Sequence, residues 1–200
     1  MNEKGKKMSA APLPINEEER LSALDEYHIL DTSPEKDYDN IVKLVTAICG
    51  TPIALVSLVD KERQWFKAKL GIDAPETHRD LAFCSHAILE PTEPFIVGDA
   101  QKDPRFADNE LVTGPPNIRF YAGCPLVSHQ GLSLGTLCTI DIIPRKLTPD
   151  QIEALKVLAT NVVTLMELRK TLHEREELNK KLISSNQELE HFAHMAAHDL

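Results

Sequence analysis

The last quarter of the chain contains no helix-breaking residue: neither glycine nor proline occurs between Asp150 and Leu200. The segment Thr148-Pro149-Asp150-Gln151 is typical of a helix start, with a capping threonine, proline in the first turn and glutamine at the capping-box position. A single helix through these residues would be about 75 Å long at about 1.5 Å per residue. A compact domain cannot bury such a helix, so we expect its first part to pack on the preceding domain and its outer part to meet another chain.

The outer part of this helix carries a heptad repeat. The a positions are Leu165, Leu172, Asn179, Asn186 and Ala193, and the d positions are Leu168, Arg175, Leu182, Leu189 and Ala196. Charged residues surround these positions, and asparagine at a is typical of parallel two-stranded coiled coils, where it fixes the register at a cost in stability. We therefore expect a homodimer through the C-terminal helix.

The residues before the long helix change from helical to strand periodicity. Residues 1–14 lack apolar periodicity and are expected to form a flexible tail. Helices are predicted from Asn16, as a cap, to Ile29, and from Glu35 to Cys49, where Gly50 ends the second helix. A short helix is predicted at Phe83 to Leu89.

Strands account for most of the remaining apolar runs. They are predicted at Pro52 to Val59, Gln64 to Leu70, Phe95 to Val97, Phe120 to Val127 and Leu132 to Ile143. In the second strand, alternation places Phe66, Ala68 and Leu70 on one face and Trp65, Lys67 and Lys69 on the other. The segment from Asp103 to Asn117 is predicted to be a long loop, and loops of that length are commonly functional.

Charge and cysteine usage exclude several classes of function. A net charge of -9 argues against nucleic-acid binding, which needs a basic face. No apolar run approaches the roughly 18 residues of a membrane helix, so we expect no membrane segment in this fragment. Cys49, Cys84, Cys124 and Cys138 form no CxxC pair and follow no secretory segment, which predicts reduced thiols and a cytoplasmic protein.

Five motifs between Arg20 and about Leu168 resemble a widespread bacterial class of GAF domain. They read LDEYHILDTSPEKDYDNIVKLV, PIALVSLVDKERQWFKAKLGI, FCSHAIL, DPRFADNELVTGPPNIRFYAGCPLV and LGTLCTID. The resemblance implies an α+β fold of the GAF/PAS-like type: an antiparallel sheet of about six strands, with the first and last helices on one side and a ligand cavity on the other. We assign residues 15–168 to this domain and residues 169–190 to the coiled coil.

The final residues, LEHFAHMAAHDL, resemble the start of the dimerisation and histidine-phosphotransfer domain of sensor histidine kinases. We assign residues 191–200 to it. The heptad places His198 at f, which points away from the dimer interface, as a phosphoryl acceptor requires. Asp199 is expected to orient the imidazole or accept its proton. No nucleotide-binding motif occurs in this chain, so ATP and Mg are expected in a missing catalytic domain, and a response regulator is the expected partner of the full-length protein.

Two alternatives on the same helix are weaker. His194 also faces outward but lacks an acidic neighbour. His191, His194 and His198 have the spacing of metal ligands on one helix face, yet no carboxylate or cysteine completes a site, so no metal is expected.

The sensor ligand cannot be read from the sequence. Polar and aromatic groups of the long loop and its neighbours are the expected lining, namely Cys84, His86, Asp103, Phe106, Arg119 and Tyr121. The alternative for Arg119 and Asp103 is an ion pair that holds the loop. Ser85 interrupts the cysteine–histidine adjacency of the bilin site in phytochromes, which favours a buried cysteine and a hydrogen-bonded histidine.

The sequence as a whole favours the sensory and dimerising N-terminal part of a histidine kinase. It would relay a small-molecule, redox or light input to His198, and it would be inactive by itself. The alternative is a non-enzymatic, stand-alone GAF dimer that binds a ligand or serves as a scaffold.

Overall fold

A computed structural model describes residues 10–198, with side chains described as far as residue 191. Six strands form one sheet: β1 (Ile53–Val59), β2 (Arg63–Leu70), β3 (Glu76–His78), β4 (Phe95–Val97), β5 (Phe120–Val127) and β6 (Ser133–Asp141). Their order is β3-β2-β1-β6-β5-β4, and every neighbouring pair is antiparallel. The helices are α1 (Glu17–Glu26), α2 (Lys36–Cys49), α3 (Phe83–Ala87), α4 (Glu110–Thr113) and α5 (Pro149–His198). The expected six-stranded antiparallel sheet with flanking helices is confirmed.

Each face of the sheet has its own hydrophobic core. On one face α1, α2 and α5 pack against the strands, and α5 contributes Leu155, Ala159, Val162 and Met166. On the other face the shorter helices α3 and α4 and the connecting loops cover a second cluster. Both β1 and β6 are buried on both faces, and β1 is accordingly an almost continuous apolar run rather than an alternating one.

The helix α5 begins as predicted. The Thr148 backbone N–H donates to Gln151 Oε1 at 2.9 Å, and the Gln151 N–H donates to Thr148 Oγ1 at 3.2 Å, which is a capping box. The helix continues without interruption to His198. No helix in the part of the chain that the structure describes is long and apolar enough to cross a membrane.

Three local expectations were wrong. The helix α1 ends at Glu26 rather than at Ile29, and the Asn16 side chain forms no capping hydrogen bond. The long loop contains the short helix α4, capped by the Asn109 side chain, which accepts from the Leu111 N–H at 2.8 Å. The strand β3 was not predicted, because its three residues lack an apolar pattern.

The alternation predicted for β2 is broken by a β-bulge. Val56 pairs with Ala68 but Ser57 pairs with Phe66, so Lys67 is the extra residue. Trp65 and Ala68 therefore belong to the core beneath the long helices, and Phe66 belongs to the opposite one.

Candidate ligand cavity

A half-open cavity of about 390 Å³ lies on the sheet face opposite the long helices. Its floor is apolar and comes from β1, β2 and β6, with Leu55, Phe66 and Ile140 among its residues. The start of α3 and the proline-rich end of the long loop form the walls. A volume of this size holds a small organic molecule.

A close backbone approach shapes one edge of the cavity. Gly71 follows β2 with a φ of +83°, and a Cβ at this position would lie 2.2 Å from the Pro52 carbonyl oxygen. Only glycine adopts this positive φ without strain and also leaves room for the Pro52 carbonyl. The chain can therefore turn toward β3 at this edge of the cavity.

Polar groups reach the cavity at two points. Gln64 and Thr77 lie on the neighbouring strands β2 and β3, and the Thr77 hydroxyl is buried without a hydrogen-bond partner among the described residues. Cys84 and Tyr121 lie at the other point. The arrangement suits a mainly apolar molecule with a few hydrogen-bonding groups.

Cys84 is the centre of a buried hydrogen-bonded cluster. The Thr136 hydroxyl donates to Cys84 Sγ at 2.9 Å, and the Tyr121 hydroxyl lies 3.2 Å from the same sulfur. Burial would raise the pKa of the Cys84 thiol, but the polar groups of Cys138, Ser57, Thr136 and Tyr121 around it lower that pKa to about 7. Burial and the neighbouring thiols raise the pKa of Tyr121 well above its usual value, so this hydroxyl stays protonated and can donate.

Phe106 and His86 lie beside the cavity rather than in its wall. The Phe106 ring stacks on Phe83 with 4.0 Å between centroids, and the His86 ring meets the edge of Phe106 at 4.9 Å. Burial and the nearby Arg105 cation lower the pKa of His86. Phe106 therefore supports the cavity residue Phe83 from behind, and His86 packs against that support.

Asp103 and Arg119 lie outside the cavity lining and do not pair with each other. Arg119 donates two hydrogen bonds to Asp99, at 2.9 and 3.1 Å, and Asp103 accepts from Arg105 at 2.6 Å. The alternative Arg119–Asp103 pair is replaced by these two pairs: Asp99–Arg119 joins the segments on either side of the loop, and Asp103–Arg105 lies at its start.

Two of the six expected lining residues, Cys84 and Tyr121, thus meet at the cavity. Sequence reasoning missed Gln64, Thr77 and the apolar floor. The available signal was that β1 is apolar at six of its seven positions, which favours a second covered face of the sheet.

The outer half of α5 presents an apolar side to solvent. Leu168, Leu172, Leu182 and Leu189 are each at least half exposed, and Asn179 and Asn186 are exposed beside them. Leu165, by contrast, is partly buried against the domain core. The backbone at His198 is helical, but the side chains of His194 and His198, and all of Asp199, lie outside the described residues.

A six-stranded antiparallel sheet with long helices on one face and a covered cavity on the other is the arrangement of a GAF domain. The GAF domain family model matches residues 33–165, and the chain belongs to this family.

Three relatives show the range of proteins that contain such domains. The cyclic di-GMP phosphodiesterase PA2567 of Pseudomonas aeruginosa is 44% identical over 138 residues, 69% of this chain and 23% of that protein. The chain thus spans about a quarter of that relative.

A domain assigned to a two-component sensor histidine kinase of Sinorhizobium meliloti 1021 is 17% identical with a TM-score of 0.56, covering 73% of this chain and 99% of that one. The chromophore-binding domain of a bacteriophytochrome from R. palustris is 10% identical with a TM-score of 0.59, covering 82% and 65%. These two structures share the fold.

Proposed function

We propose that this chain is the sensory and dimerising N-terminal part of a cytoplasmic sensor histidine kinase, which relays a change in the cavity through α5 to the phosphoacceptor His198. The observation that carries the proposal is the unbroken helix from Pro149 to His198. The first part of this helix packs in the core of the sensory domain. The last residues of the chain carry the sequence LEHFAHMAAHDL, which resembles the start of a histidine-phosphotransfer helix.

Polar contacts attach α5 to the sensory domain where the helix leaves it. The Tyr27 hydroxyl donates to Glu167 at 2.5 Å, and Lys170 donates to Glu26 at 2.6 Å. Arg169 donates to Glu35, which also accepts from the buried Lys67 of β2 at 2.6 Å. A shift of β2 would therefore reach α5 directly.

The exposed leucines of α5 support a parallel homodimer. Asn179 and Asn186 then face their own copies in the partner helix, where each amide satisfies the other. Purified protein is expected to be a dimer by light scattering at tens of micromolar. Replacing both asparagines by leucine should raise its melting temperature and loosen its oligomeric state, and a monomeric wild type would contradict this assembly.

Phosphoryl transfer to His198 is the central test. The f position leaves the imidazole accessible to a catalytic domain that supplies ATP and Mg, while Asp199 orients the ring. In the full-length protein with ATP and Mg, His198→Gln should abolish an acid-labile phosphoryl group and leave the dimer intact. His194→Gln is the matched control and should retain the label, and Asp199→Asn should slow labelling. Normal labelling of His198→Gln would contradict the assignment.

The similarity to a cyclic di-GMP phosphodiesterase favours a second candidate function. A cyclic di-GMP phosphodiesterase is 44% identical to this chain over 138 residues, 69% of the chain. The alternative is therefore that the domain regulates cyclic di-GMP hydrolysis. Assaying the full-length protein for both autophosphorylation and cyclic di-GMP hydrolysis separates the two functions.

A further inference from the structure

The four cysteines form two pairs on opposite faces of the sheet. Cys49 and Cys124 belong to the core beneath the long helices, and Cys84 and Cys138 belong to the core around the cavity. All four are buried and none is in a disulfide. Cys49 and Cys124 therefore serve as an internal control for any reaction of Cys84 and Cys138.

Cys84 and Cys138 lie in the same cavity-side core. Cys138 follows Thr136 by two residues on β6, so both side chains point to the same face of the sheet. Thr136 donates to Cys84 Sγ at 2.9 Å, and the Cys138 thiol lies close enough to Cys84 to affect its pKa. Both thiols therefore belong to one buried cluster beside Thr136.

The two thiols differ in their electrostatic surroundings. The donors around Cys84 stabilise its thiolate and bring its pKa to about 7, whereas burial keeps the pKa of Cys138 well above its usual value. Near neutral pH, Cys84 is therefore the nucleophile and Cys138 remains a thiol. Burial also raises the pKa values of Cys49 and Cys124, the latter to about 12, so neither is activated.

The two thiols also differ in access. Cys84 lines the cavity, although only 1% of its surface is exposed, while Cys138 is fully buried outside that lining. A water-sized oxidant that enters the cavity therefore meets Cys84 first, and bulky reagents are excluded.

We propose that Cys84 and Cys138 form a reversible disulfide when hydrogen peroxide enters the cavity, which makes this pair a redox-sensitive site of the sensory domain. The Cys84 thiolate attacks one peroxide oxygen, the O–O bond breaks, and hydroxide leaves, so that Cys84 becomes a sulfenic acid and the peroxide is reduced. The Cys138 sulfur then attacks Cys84 Sγ and displaces hydroxide, which leaves as water with the proton of Cys138. A dithiol reductant reverses the step.

The disulfide links α3 to the central strand β6 at the wall of the cavity. Its sulfur–sulfur bond is about 2.05 Å long, shorter than a hydrogen bond between thiols, so oxidation pulls the start of α3 toward the sheet. This chemistry goes beyond the proposed function and does not depend on whether the output domain is a kinase, because it is measured on the sensory domain itself.

Peptide mapping of the peroxide-treated protein tests the proposal. The reduced chain is treated with hydrogen peroxide, unfolded in the presence of N-ethylmaleimide and digested. The expected product is a cross-linked peptide pair containing Cys84 and Cys138, with Cys49 and Cys124 alkylated. The initial rate should rise with pH, because the thiolate of Cys84 is the attacking species and its pKa is lowered.

Variants separate the two chemical steps. In Cys138→Ala, the sulfenic acid at Cys84 has no thiol to attack it and should be trapped when the treated protein is unfolded in the presence of dimedone. The matched control, Cys49→Ala with Cys124→Ala, should form the same disulfide as the wild type. Two results on the wild-type protein would overturn the proposal: both cavity cysteines alkylated after peroxide treatment, or sulfenic acid at Cys84 without a cross-link. Neither result requires a variant to fold.

Discussion

Gly71 and Gly131 share a backbone conformation but not an environment. Their φ angles are +83° and +79°, yet a Cβ on Gly71 would lie 2.2 Å from the Pro52 carbonyl oxygen, and a Cβ on Gly131 would meet nothing within 4 Å. Gly131→Ala should therefore lower the free energy of unfolding by about 1 kcal/mol, because the left-handed conformation is the only feature that alanine disfavours there. Gly71→Ala adds a clash with backbone and should cost roughly 2 kcal/mol more. Urea unfolding of both variants measures the difference, and equal losses would contradict the close approach.

Glu17 connects α1 to the turn that precedes α3. Its carboxylate accepts from Arg20 at 2.8 and 2.9 Å and from Arg79 at 2.5 Å, and Arg20 is only 1% exposed. Burial would raise the pKa of Glu17, but hydrogen bonds and charge from Arg20 and Arg79 lower it to about 2. The glutamate thus pairs with two cations on different segments.

Replacing this carboxylate makes the acid sensitivity of the fold measurable. Because the folded-state pKa lies below the unfolded value of 4.5, the stabilisation is complete above that value and is lost as the pH falls toward 2. Glu17→Gln should lower the free energy of unfolding by about 3 kcal/mol at pH 7 and flatten its pH dependence between pH 5 and about 2. Chemical unfolding at several pH values is the measurement. The exposed Glu18→Gln is the control, and an equal pH slope in the two variants would contradict this role.

At the scale of elements, the bulge in β2 places a lysine in the core. The Lys67 side chain is fully buried, and its ammonium donates to Thr32 Oγ1, the Ser33 carbonyl and Glu35 at 2.6 to 2.8 Å. It therefore holds the segment between α1 and α2 against the sheet. Lys69, two residues further on, is exposed.

Lys67→Met tests this connection. Methionine fills most of the volume but leaves the Ser33 carbonyl and the Thr32 hydroxyl without their donor, so we expect a loss of about 1–3 kcal/mol in the free energy of unfolding. Thermal unfolding with Lys69→Met as the control gives the comparison. A Lys67→Met protein as stable as the control would mean that the buried ammonium contributes no net stability.

Elements defined by local signals could be predicted, and those defined by tertiary contacts could not. The capping box at Thr148 and the left-handed Gly50 fix the ends of their helices within a few residues of sequence. The bulge at Lys67 depends on partners more than thirty residues away in sequence. The cavity residues divide in the same way. Cys84 lies in the motif FCSHAIL and could be predicted, whereas Gln64 and Thr77 are brought to the cavity by the pairing of β2 with β3, which the sequence did not indicate.

At the scale of the whole molecule, α5 belongs to two environments. Leu155, Val162 and Met166 are buried in the domain core, whereas all but one of the described side chains beyond Lys170 are exposed. Glu167, Arg169 and Lys170 make their contacts with the domain just before this change. Under the proposed function, a signal from the domain would enter the helix over this one turn, and the proposed coiled coil would carry it onward as a rotation or shift of the whole helix.

Deletions within the exposed part of α5 test this mechanical coupling in the full-length protein. Removing residues 176–182 takes out one heptad and preserves the angle between the domain and the acceptor helix, so regulated autophosphorylation should persist. Removing residues 176–179 turns the acceptor face by about 50° in a coil of about 3.5 residues per turn, which should lock or invert the output. Light scattering must show that both variants remain dimers. Equal autophosphorylation of the two dimers would mean that the helix links the domains without transmitting their orientation, and the input would then have to reach His198 by another route.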